Sequence, residues 1–235
     1  MNLQAVIFDM DGTLVDTNST HVEAWQRAFG RCGFCVPAQR IIPEIGKGGD
    51  MLVPAILGEA EEKEIGETLR QFHSEEFLRI AADQRFEVFP QIPELFNALR
   101  ERGLRVALAS SAKREQLEAT QKSAGIDLEA IVDSVITADD ADNSKPAPDL
   151  VLAAAEKLGA SPTQCAMVGD TPHDAEACRR AGVAFLGVLT GGHKVETLTS
   201  AGARAAWHDT ADLLDHLDEA LKIASNGFVP HQNDV

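Results

Sequence analysis

The sequence contains no long apolar run. None of its 235 residues falls in a stretch approaching the roughly 18–20 apolar residues that a membrane-spanning helix needs. A strand-like apolar run, Ala5–Phe8, begins almost at the N-terminus and leaves no room for a signal peptide. These absences predict a protein with no membrane partner and, by default, a cytoplasmic location.

Positive charge is also scarce. The chain has 21 Lys and Arg against 37 Asp and Glu, which gives a formal net charge of −16. Binding to nucleic-acid backbones requires a clustered basic surface, so we expect no nucleic-acid partner. The same charge repels small anions. An anionic substrate would therefore need local positive charge, supplied by a bound cation and a few Lys or Arg.

Cysteine is limited to four residues: Cys32, Cys35, Cys165 and Cys178. The first two form a C-x-x-C, which alone can indicate redox chemistry or half of a zinc site. No second pair of Cys or His at a suitable spacing completes a metal set. We interpret the C-x-x-C as reduced thiols near a helix end.

What the chain does have is an alternation of short β-branched or aliphatic runs with helical patterns. This alternation predicts an α/β protein with a three-layer, doubly wound, Rossmann-like parallel sheet. Glycines at 103, 125, 159 and 182 stand where left-handed helix C-caps are expected. The expected strands are Ala5–Phe8, Arg105–Ala109, 134–137, 166–168, Ala184–Val188 and an edge strand at 203–207. The expected helices are 92–102, 113–123, 148–157, 174–181 and a closing helix at 210–223.

Residues 18–85 break this rhythm, because they show helical periodicity without a convincing strand. Amphipathic helices are expected at 19–31 and 61–82. We interpret 18–85 as a small all-helical cap domain inserted after the first strand, and residues 1–17 plus 86–224 as the core domain. Such a cap would lie above the strand ends where open α/β sheets bind ligands. The polar, proline-containing residues 225–235 predict a disordered tail.

The strongest chemical signal, Asp9-Met10-Asp11-Gly12-Thr13, directly follows the first strand. Two carboxylates at positions i and i+2 can face one crevice, where one could attack phosphorus and the other donate a proton to the leaving oxygen. Gly12 permits a sharp turn beside a ligand, and Thr13 offers a backbone N–H and a hydroxyl to phosphate. The alternative is a merely acidic loop with an Asx-type turn.

Two further segments offer phosphate-binding groups. Ser110 and Ser111 follow the strand at Arg105–Ala109, and either hydroxyl could bind a phosphoryl oxygen; Ser111 could instead cap the next helix. Lys145 precedes Pro146, which favours an extended backbone at the lysine. A lysine fixed in this way would place a positive charge beside a transferring phosphoryl group.

The fourth segment brings two more acids. Asp170 follows a strand in the manner of Asp9, and Asp174 comes one turn later at a helix start. A third carboxylate would complete an oxygen-rich set suited to Mg²⁺. Asp174 could cap the helix N-terminus, but we favour a supporting role in which it anchors Lys145 or a metal-bound water.

Together, in this order and in these strand contexts, the four segments resemble the haloacid dehalogenase superfamily of phosphohydrolases. The resemblance covers about residues 4–190. The helical insertion resembles the small cap of phosphoglycolate phosphatase-like and β-phosphoglucomutase-like members. The resemblance therefore implies both the fold described above and an enzyme that acts on phosphate esters.

The resemblance also implies roles for individual residues. Asp9 is the nucleophile that forms an aspartyl-phosphate, and Asp11 is the general acid and base. Ser110 and Lys145 hold the phosphoryl group. Mg²⁺ is bound by the Asp9 side chain, the backbone carbonyl of Asp11 and Asp170.

We therefore expect Mg²⁺-dependent hydrolysis of a small phosphorylated metabolite, by a monomer or a homodimer. His21 and Lys47 are expected substrate contacts, although solvated or capping roles are the alternatives. A β-phosphoglucomutase-like mutase stays open because His21 and Trp25 resemble that subgroup, but the subgroup's cap arginine has no clear counterpart at residues 45–50. A non-catalytic module that binds a phosphorylated metabolite is the second alternative.

Overall fold

The computed structural model describes residues 3–226 of the chain. Within these residues, six strands form one parallel sheet in the order β3-β2-β1-β4-β5-β6. The predicted α/β fold is therefore confirmed. The strands are β1 (Ala5–Phe8), β2 (Arg105–Ala109), β3 (Ser134–Ile136), β4 (Cys165–Gly169), β5 (Ala184–Val188) and β6 (Ala206–Trp207).

The central strand β1 shows why its sequence is apolar throughout. Val6 and Phe8 belong to the core on one face of the sheet, while Ala5 and Ile7 belong to the core on the other. Successive side chains of a strand point to opposite faces. A strand covered on both faces therefore has apolar residues at every position.

Helices cover both faces, which confirms the three-layer arrangement. In the described residues the helices are α1 (Asn18–Arg31), α2 (Ala38–Ile41), α3 (Gly49–Leu57), α4 (Glu59–Asp83), α5 (Ile92–Glu101), α6 (Arg114–Ala124), α7 (Asp149–Lys157), α8 (Pro172–Ala181), α9 (Val195–Ala201), α10 (Thr210–Asp215) and α11 (Leu217–Ser225). Helices α5, α6, α10 and α11 pack on the face that carries Val6 and Phe8. Helices α7, α8 and α9 pack on the opposite face.

The four glycines expected to end helices have the predicted backbone conformation. Gly103, Gly125, Gly159 and Gly182 have φ angles of 74°, 71°, 61° and 72°. This left-handed conformation strains residues that carry a Cβ atom but not glycine. Each glycine therefore ends its helix as the sequence pattern indicates.

Helices α1 to α4 lie between β1 and β2 in the chain and have a separate apolar core. That core includes Trp25, Phe29, Ile41, Leu52 and Leu69. These elements agree with an all-helical cap over residues 18–85, although the exact domain boundaries stay an interpretation. Helix α4 begins at Glu59, two residues before its predicted start.

The two chain segments that join the cap to the core run side by side. Val15 and Val88 form an antiparallel bridge. The backbone N–H of Asp16 donates to the carbonyl of Glu87, and that of Phe89 donates to the carbonyl of Leu14, each at 2.9 Å. The connections into and out of the cap are therefore hydrogen-bonded to each other.

The C-terminal region departs from its prediction in three respects. The edge strand β6 has two residues, not five, although Arg204 N–H already donates to the Phe185 carbonyl at 2.9 Å. The closing helix is divided into α10 and α11 at His216 (φ −111°, ψ 20°). Helix α11 includes Ser225, so the predicted tail at 225–235 starts too early, and residues 227–235 of it lie outside the described residues. Over residues 3–226, no helix has the length and apolar character to span a membrane.

Candidate active site

The four sequence segments meet where the strand order reverses. The chain leaves the central strand β1 toward β2 and β3 on one side, and β4 lies on its other side. Asp9 follows β1 and Asp170 follows β4, so both lie at the C-terminal edge of neighbouring strands. Open α/β sheets bind their ligands at this switch point.

Lys145 joins two of the acids. Its Nζ lies 2.5 Å from Asp9 Oδ1 and 2.8 Å from Asp174 Oδ1, and all three side chains are buried. Burial alone would lower the pKa of Lys145, but Asp174 and Asp9 raise it instead. The lysine is therefore a fixed cation inside the site. The Lys145–Pro146 peptide bond is cis.

Asp174 has the supporting position that the sequence indicated. Its Oδ1 pairs with Lys145, while its Oδ2 accepts hydrogen bonds from the backbone N–H and the hydroxyl of Thr171 at 3.1 and 2.5 Å. Thr171, not Asp174, is the N-cap of α8. Asp174 thus completes the capping box and orients Lys145 at the same time.

Asp170 is held from both sides. Thr13 Oγ1 donates to its Oδ1 at 3.0 Å, and Asn18 Nδ2 donates to its Oδ2 at 2.9 Å. Burial and the neighbouring Asp174 raise the pKa of Asp170 to about 7. The hydroxyl of Thr13, expected to bind phosphate, is therefore already engaged in orienting Asp170. Asn18 has no strong sequence signal and was not predicted.

Gly12 allows this close approach. Its φ is +76°, and a Cβ atom there would overlap Asp170 Oδ2 and Asn18 Nδ2. The predicted turn at Gly12 is therefore present, and the side chains that lie closest to it are Asp170 and Asn18. Its carbonyl also accepts a hydrogen bond from Thr190 Oγ1 at 2.5 Å.

Asp11 lines the pocket and has contacts with three polar side chains. Its Oδ1 lies 2.6 Å from Thr17 Oγ1 and 3.3 Å from His21 Nε2, and its Oδ2 lies 3.3 Å from Ser110 Oγ. Burial works against ionisation of Asp11, but the attraction of His21 and these hydrogen bonds together lower its pKa. His21, which the sequence could not distinguish from a solvated residue, is buried beside Asp11.

Asp9 has the opposite electrostatic environment. Burial raises its pKa well above the usual range, and the neighbouring acids raise it further, while Lys145 opposes the shift. Carboxylate oxygens of Asp9, Asp170 and Asp174 all lie within 4.8 Å of one another. Three buried acids beside a single buried lysine leave uncompensated negative charge, so this all-oxygen donor set fits a hard divalent cation such as Mg²⁺.

A pocket of about 240 Å³ opens above these residues and is closed on its far side by the cap. The core contributes Asp9 and Asp11. Of the predicted substrate contacts, His21, Lys47 and Ser111 line the pocket, and Gly12, Thr13 and Ser110 do not. The cap residues that the sequence did not single out include Arg70, His73 and Asp50.

Ser110 and Ser111 make different contacts. The Ser110 hydroxyl is buried, donates to Asp11 and accepts from the Ala112 N–H at 3.1 Å. Ser111 is not the helix cap that we considered, because the N-cap of α6 is Lys113. Its hydroxyl instead donates to the Gly46 carbonyl of the cap at 3.3 Å.

Known proteins resemble this chain over most of its length. Residues 3–182 match the family model for haloacid dehalogenase-like hydrolases. A relative named "Probable phosphatase IndB" from Dickeya dadantii is 31% identical and covers 94% of this chain and 96% of its own. A phosphoglycolate phosphatase of Escherichia coli O157:H7 is 29% identical, covering 92% and 93%. The chain spans 24% of the chloroplast protein SUPPRESSOR OF QUENCHING 1 of Arabidopsis thaliana, to which it is 28% identical.

Solved structures of other proteins share the fold of almost the whole chain. A hydrolase from Pseudomonas syringae superposes with a TM-score of 0.84 at 33% identity, covering 92% of this chain and 98% of that one. A β-phosphoglucomutase from Clostridium difficile superposes with a TM-score of 0.79 at 20% identity, covering 94% and 97%. The second likeness concerns the fold alone. The acidic switch-point site, the helical insertion and these matches agree, and the chain belongs to the haloacid dehalogenase-like hydrolases as a phosphatase.

Proposed function

We propose that this phosphatase hydrolyses small phosphate monoesters with the help of Mg²⁺, through a phosphoryl group carried on Asp9. The observation that carries the proposal is the buried Asp9–Lys145–Asp174 arrangement beside Asp170. Asp9 lines the pocket, and Asp174 holds the ammonium of Lys145 in place beside it. Phosphoryl transfer depends mainly on such positioning and charge neutralisation.

In the first step, a carboxylate oxygen of Asp9 attacks phosphorus in line with the leaving oxygen. The bond from phosphorus to Asp9 forms as the bond to the leaving group breaks. Lys145 neutralises charge on the transferring group. Burial raises the pKa of Asp9 and Lys145 opposes this shift, so a bound cation would favour the ionised carboxylate further.

Asp11 handles the proton. It lies on the pocket wall two residues from Asp9. Because its pKa is lowered in the free protein, it first takes up a proton, which a singly protonated phosphate ester can supply, and then donates it to the leaving oxygen. In the second step it takes a proton from the water that attacks phosphorus and frees Asp9. Thr17 and Ser110 hold its carboxylate in position through hydrogen bonds, and His21 Nε2 lies 3.3 Å from it.

Mg²⁺ would be held by the side chains of Asp9 and Asp170 and by the backbone carbonyl of Asp11, and would supply positive charge against the phosphoryl oxygens. The donor atoms fit, because each of the two side chains is a buried carboxylate and Thr13 and Asn18 orient Asp170.

The size of the pocket favours a small substrate. At about 240 Å³ it lies below the roughly 300–1,000 Å³ typical of sites for drug-sized ligands. Lys47 and Arg70 line its cap side, although they also pair with Glu44 and Glu62. We infer that the substrate is a phosphorylated metabolite of the phosphoglycolate type, with a small polar group that faces these two cations.

The two cap cations also favour one alternative, a sugar-phosphate mutase in which they hold a second phosphate. Arg70 supplies a cap arginine from helix α4, where no sequence pattern indicated one. The two functions differ in product, because a phosphatase releases inorganic phosphate while a mutase accumulates an isomeric sugar phosphate. A module that only binds its ligand would release neither.

Asp9→Asn tests the proposal. With a chromogenic phosphate ester and Mg²⁺, we expect wild-type turnover that disappears in EDTA, and a loss of at least about 10³-fold in the variant. Wild-type protein stopped in acid during turnover should carry hydroxylamine-sensitive phosphate. Asp16→Asn, the same change at an exposed residue outside the pocket, is the matched control. Full turnover by Asp9→Asn would falsify the scheme.

A further inference from the structure

A row of four side chains connects helix α6 of the core to Asp11 through the cap. Gln116 Nε2 lies 3.5 Å from His73 Nδ1, and His73 Nε2 lies 3.3 Å from His21 Nδ1. His21 Nε2 then lies 3.3 Å from Asp11 Oδ1. The first and last residues belong to the core, and the two histidines belong to cap helices α4 and α1. The function proposed above uses only the Asp11 end of this row.

One backbone group decides the direction of every hydrogen bond in the row. The N–H of Lys113 donates to Gln116 Oε1 at 3.1 Å. The amide oxygen of Gln116 is therefore turned toward the backbone, and its NH₂ group faces His73. An amide NH₂ can only donate, so His73 Nδ1 has to accept.

The remaining proton positions follow in sequence. Burial, and then the nearby His21, lower the pKa of His73 well below its usual range, so this ring is neutral. A neutral imidazole that accepts at Nδ1 carries its proton on Nε2. His73 thus donates to His21 Nδ1. His21 in turn carries its proton on Nε2, where it faces the carboxylate of Asp11.

Both imidazole rings are also held in orientation by stacking. The indole ring of Trp25 lies against His73, with ring centres 4.1 Å apart and planes inclined by 12°. Phe77 lies against His21 at 4.3 Å and 14°. Stacking therefore fixes the plane of each ring. A 180° flip of the His73 ring would keep that plane but would put carbon atoms in place of both nitrogens, and so would break both of its hydrogen bonds.

We propose that Gln116 and His73 are positioning residues that fix the Nε2–H tautomer of His21, whose Nε2–H is then directed at Asp11, 3.3 Å away. The row is complete only while the cap histidines lie against the core, so the acid–base residue is held in its working orientation only when the cap is seated. Its catalytic consequence depends on the proposed role of Asp11. The proton positions themselves do not.

The experiment compares Gln116→Glu with Gln116→Leu, and with Gln71→Glu as the charge control. A carboxylate at position 116 still accepts from the Lys113 N–H, but its second oxygen can only accept. His73 Nδ1 must then carry a proton. Either the proton of each histidine ring moves to its other nitrogen, or the His73 ring becomes positively charged. Leucine removes the donor without reversing anything. Gln71 is exposed on α4 and adds the same charge away from the row.

Nitrogen-15 NMR of histidine-labelled protein reads the proton positions without turnover. In the wild type and in Gln71→Glu we expect the proton of His21 and of His73 on Nε2 and none on Nδ1, and in Gln116→Glu a changed pattern at both. We also expect kcat to fall about tenfold in Gln116→Glu with KM within about twofold, and to fall less in Gln116→Leu.

Three results would overturn the inference. They are a wild-type His21 protonated at Nδ1, an unchanged histidine pattern in Gln116→Glu, or a changed pattern with unchanged kcat. The wild-type spectrum alone decides the first, even if a variant does not fold. If Asp9→Asn kept full activity while the wild-type pattern was as expected, the proposed mechanism would fail and the proton assignment would stand.

Discussion

The ammonium of Lys145 lies 2.5 Å from Oδ1 of Asp9, and both side chains are almost completely buried. Lys145 also contacts Asp174, so one cation compensates two carboxylates. A buried charge that loses its partner is far more costly than an exposed one. We therefore expect the lysine to stabilise the folded core in addition to its proposed role in the reaction.

Replacement of Lys145 by Met removes this compensation at similar side-chain length. We expect the free energy of unfolding at pH 8 to fall by about 3–5 kcal/mol, because Asp9 and Asp174 are left buried without their cation. Urea unfolding measures the loss. Lys157→Met, at an exposed position on α7, should stay within ~0.5 kcal/mol of the wild type. A loss below about 1 kcal/mol in Lys145→Met contradicts the prediction.

The raised pKa of Asp170 predicts pH-dependent Mg²⁺ binding. Below pH 7, Asp170 carries a proton in the metal-free protein, and this proton must leave before the carboxylate binds a cation. Affinity should rise about tenfold per pH unit below 7 and level off above it. Calorimetric titration in buffers of different ionisation enthalpy counts the proton released. Asp170→Asn should abolish the effect and Glu118→Gln, on the exposed face of α6, should retain it.

The same shift predicts how stability of the metal-free protein depends on pH. The pKa of Asp170 is about 7 in the folded state, against about 4 for an unfolded carboxyl group. Proton binding at Asp170 therefore stabilises the folded protein, and this contribution is lost as the pH rises through 7. Thermal unfolding in EDTA should show Tm falling between pH 5 and pH 8. Excess Mg²⁺ should raise Tm more at pH 8 than at pH 5; an equal increase at both would contradict this.

Gly12→Ala tests the close approach to Asp170. The new Cβ atom would both strain a left-handed backbone and overlap Asp170 Oδ2 and Asn18 Nδ2. Gly33, in the cap, has φ +85°, and no atom lies within 4 Å of the position that a Cβ atom would take there, so Gly33→Ala carries the backbone strain alone. We expect roughly 1–2 kcal/mol of destabilisation in Gly33→Ala with normal activity. Gly12→Ala should lose more stability and should weaken Mg²⁺ binding, as measured by calorimetry.

Lys47→Gln tests the cap side of the pocket. Since Lys47 would contact the part of the substrate that does not react, its loss should raise KM about fivefold with kcat nearly unchanged, in line with ~1 kcal/mol of binding energy. Steady-state kinetics on a phosphorylated-metabolite panel gives both constants. Lys63→Gln, at an exposed position on α4, serves as the control. A lower kcat at constant KM would assign Lys47 to the chemical step instead.

The sequence was most informative where local chemistry determines position. Asp9, Asp170 and Ser110 follow apolar strands, and parallel strands bring their carboxyl ends to one edge, so their convergence could be predicted from strand order alone. Lys145 could be placed in the same site through its Pro146 context and the family pattern. The fold followed from the same alternation of strands and helices.

Contacts between distant segments could not be predicted. Arg70 and His73 reach the pocket because of how α4 packs on the other cap helices, and helical periodicity alone does not define that packing. Asn18 and Thr190 act through single hydrogen bonds to Asp170 and to the Gly12 carbonyl, across 152 and 178 residues of chain. No local pattern marks an isolated polar residue for such a role.

The paired connections at Val15 and Val88 restrict how the cap can move. Because the incoming and outgoing segments are hydrogen-bonded to each other, they can twist together but cannot slide independently. We therefore expect the cap to rotate about this short double-stranded connection. Residues near the axis, such as His21, would travel a short arc, while Lys47 in the loop before α3 would travel a longer one. The proposed substrate contact at Lys47 and the proposed proton transfer at Asp11, beside His21, would then respond to one rotation by different amounts.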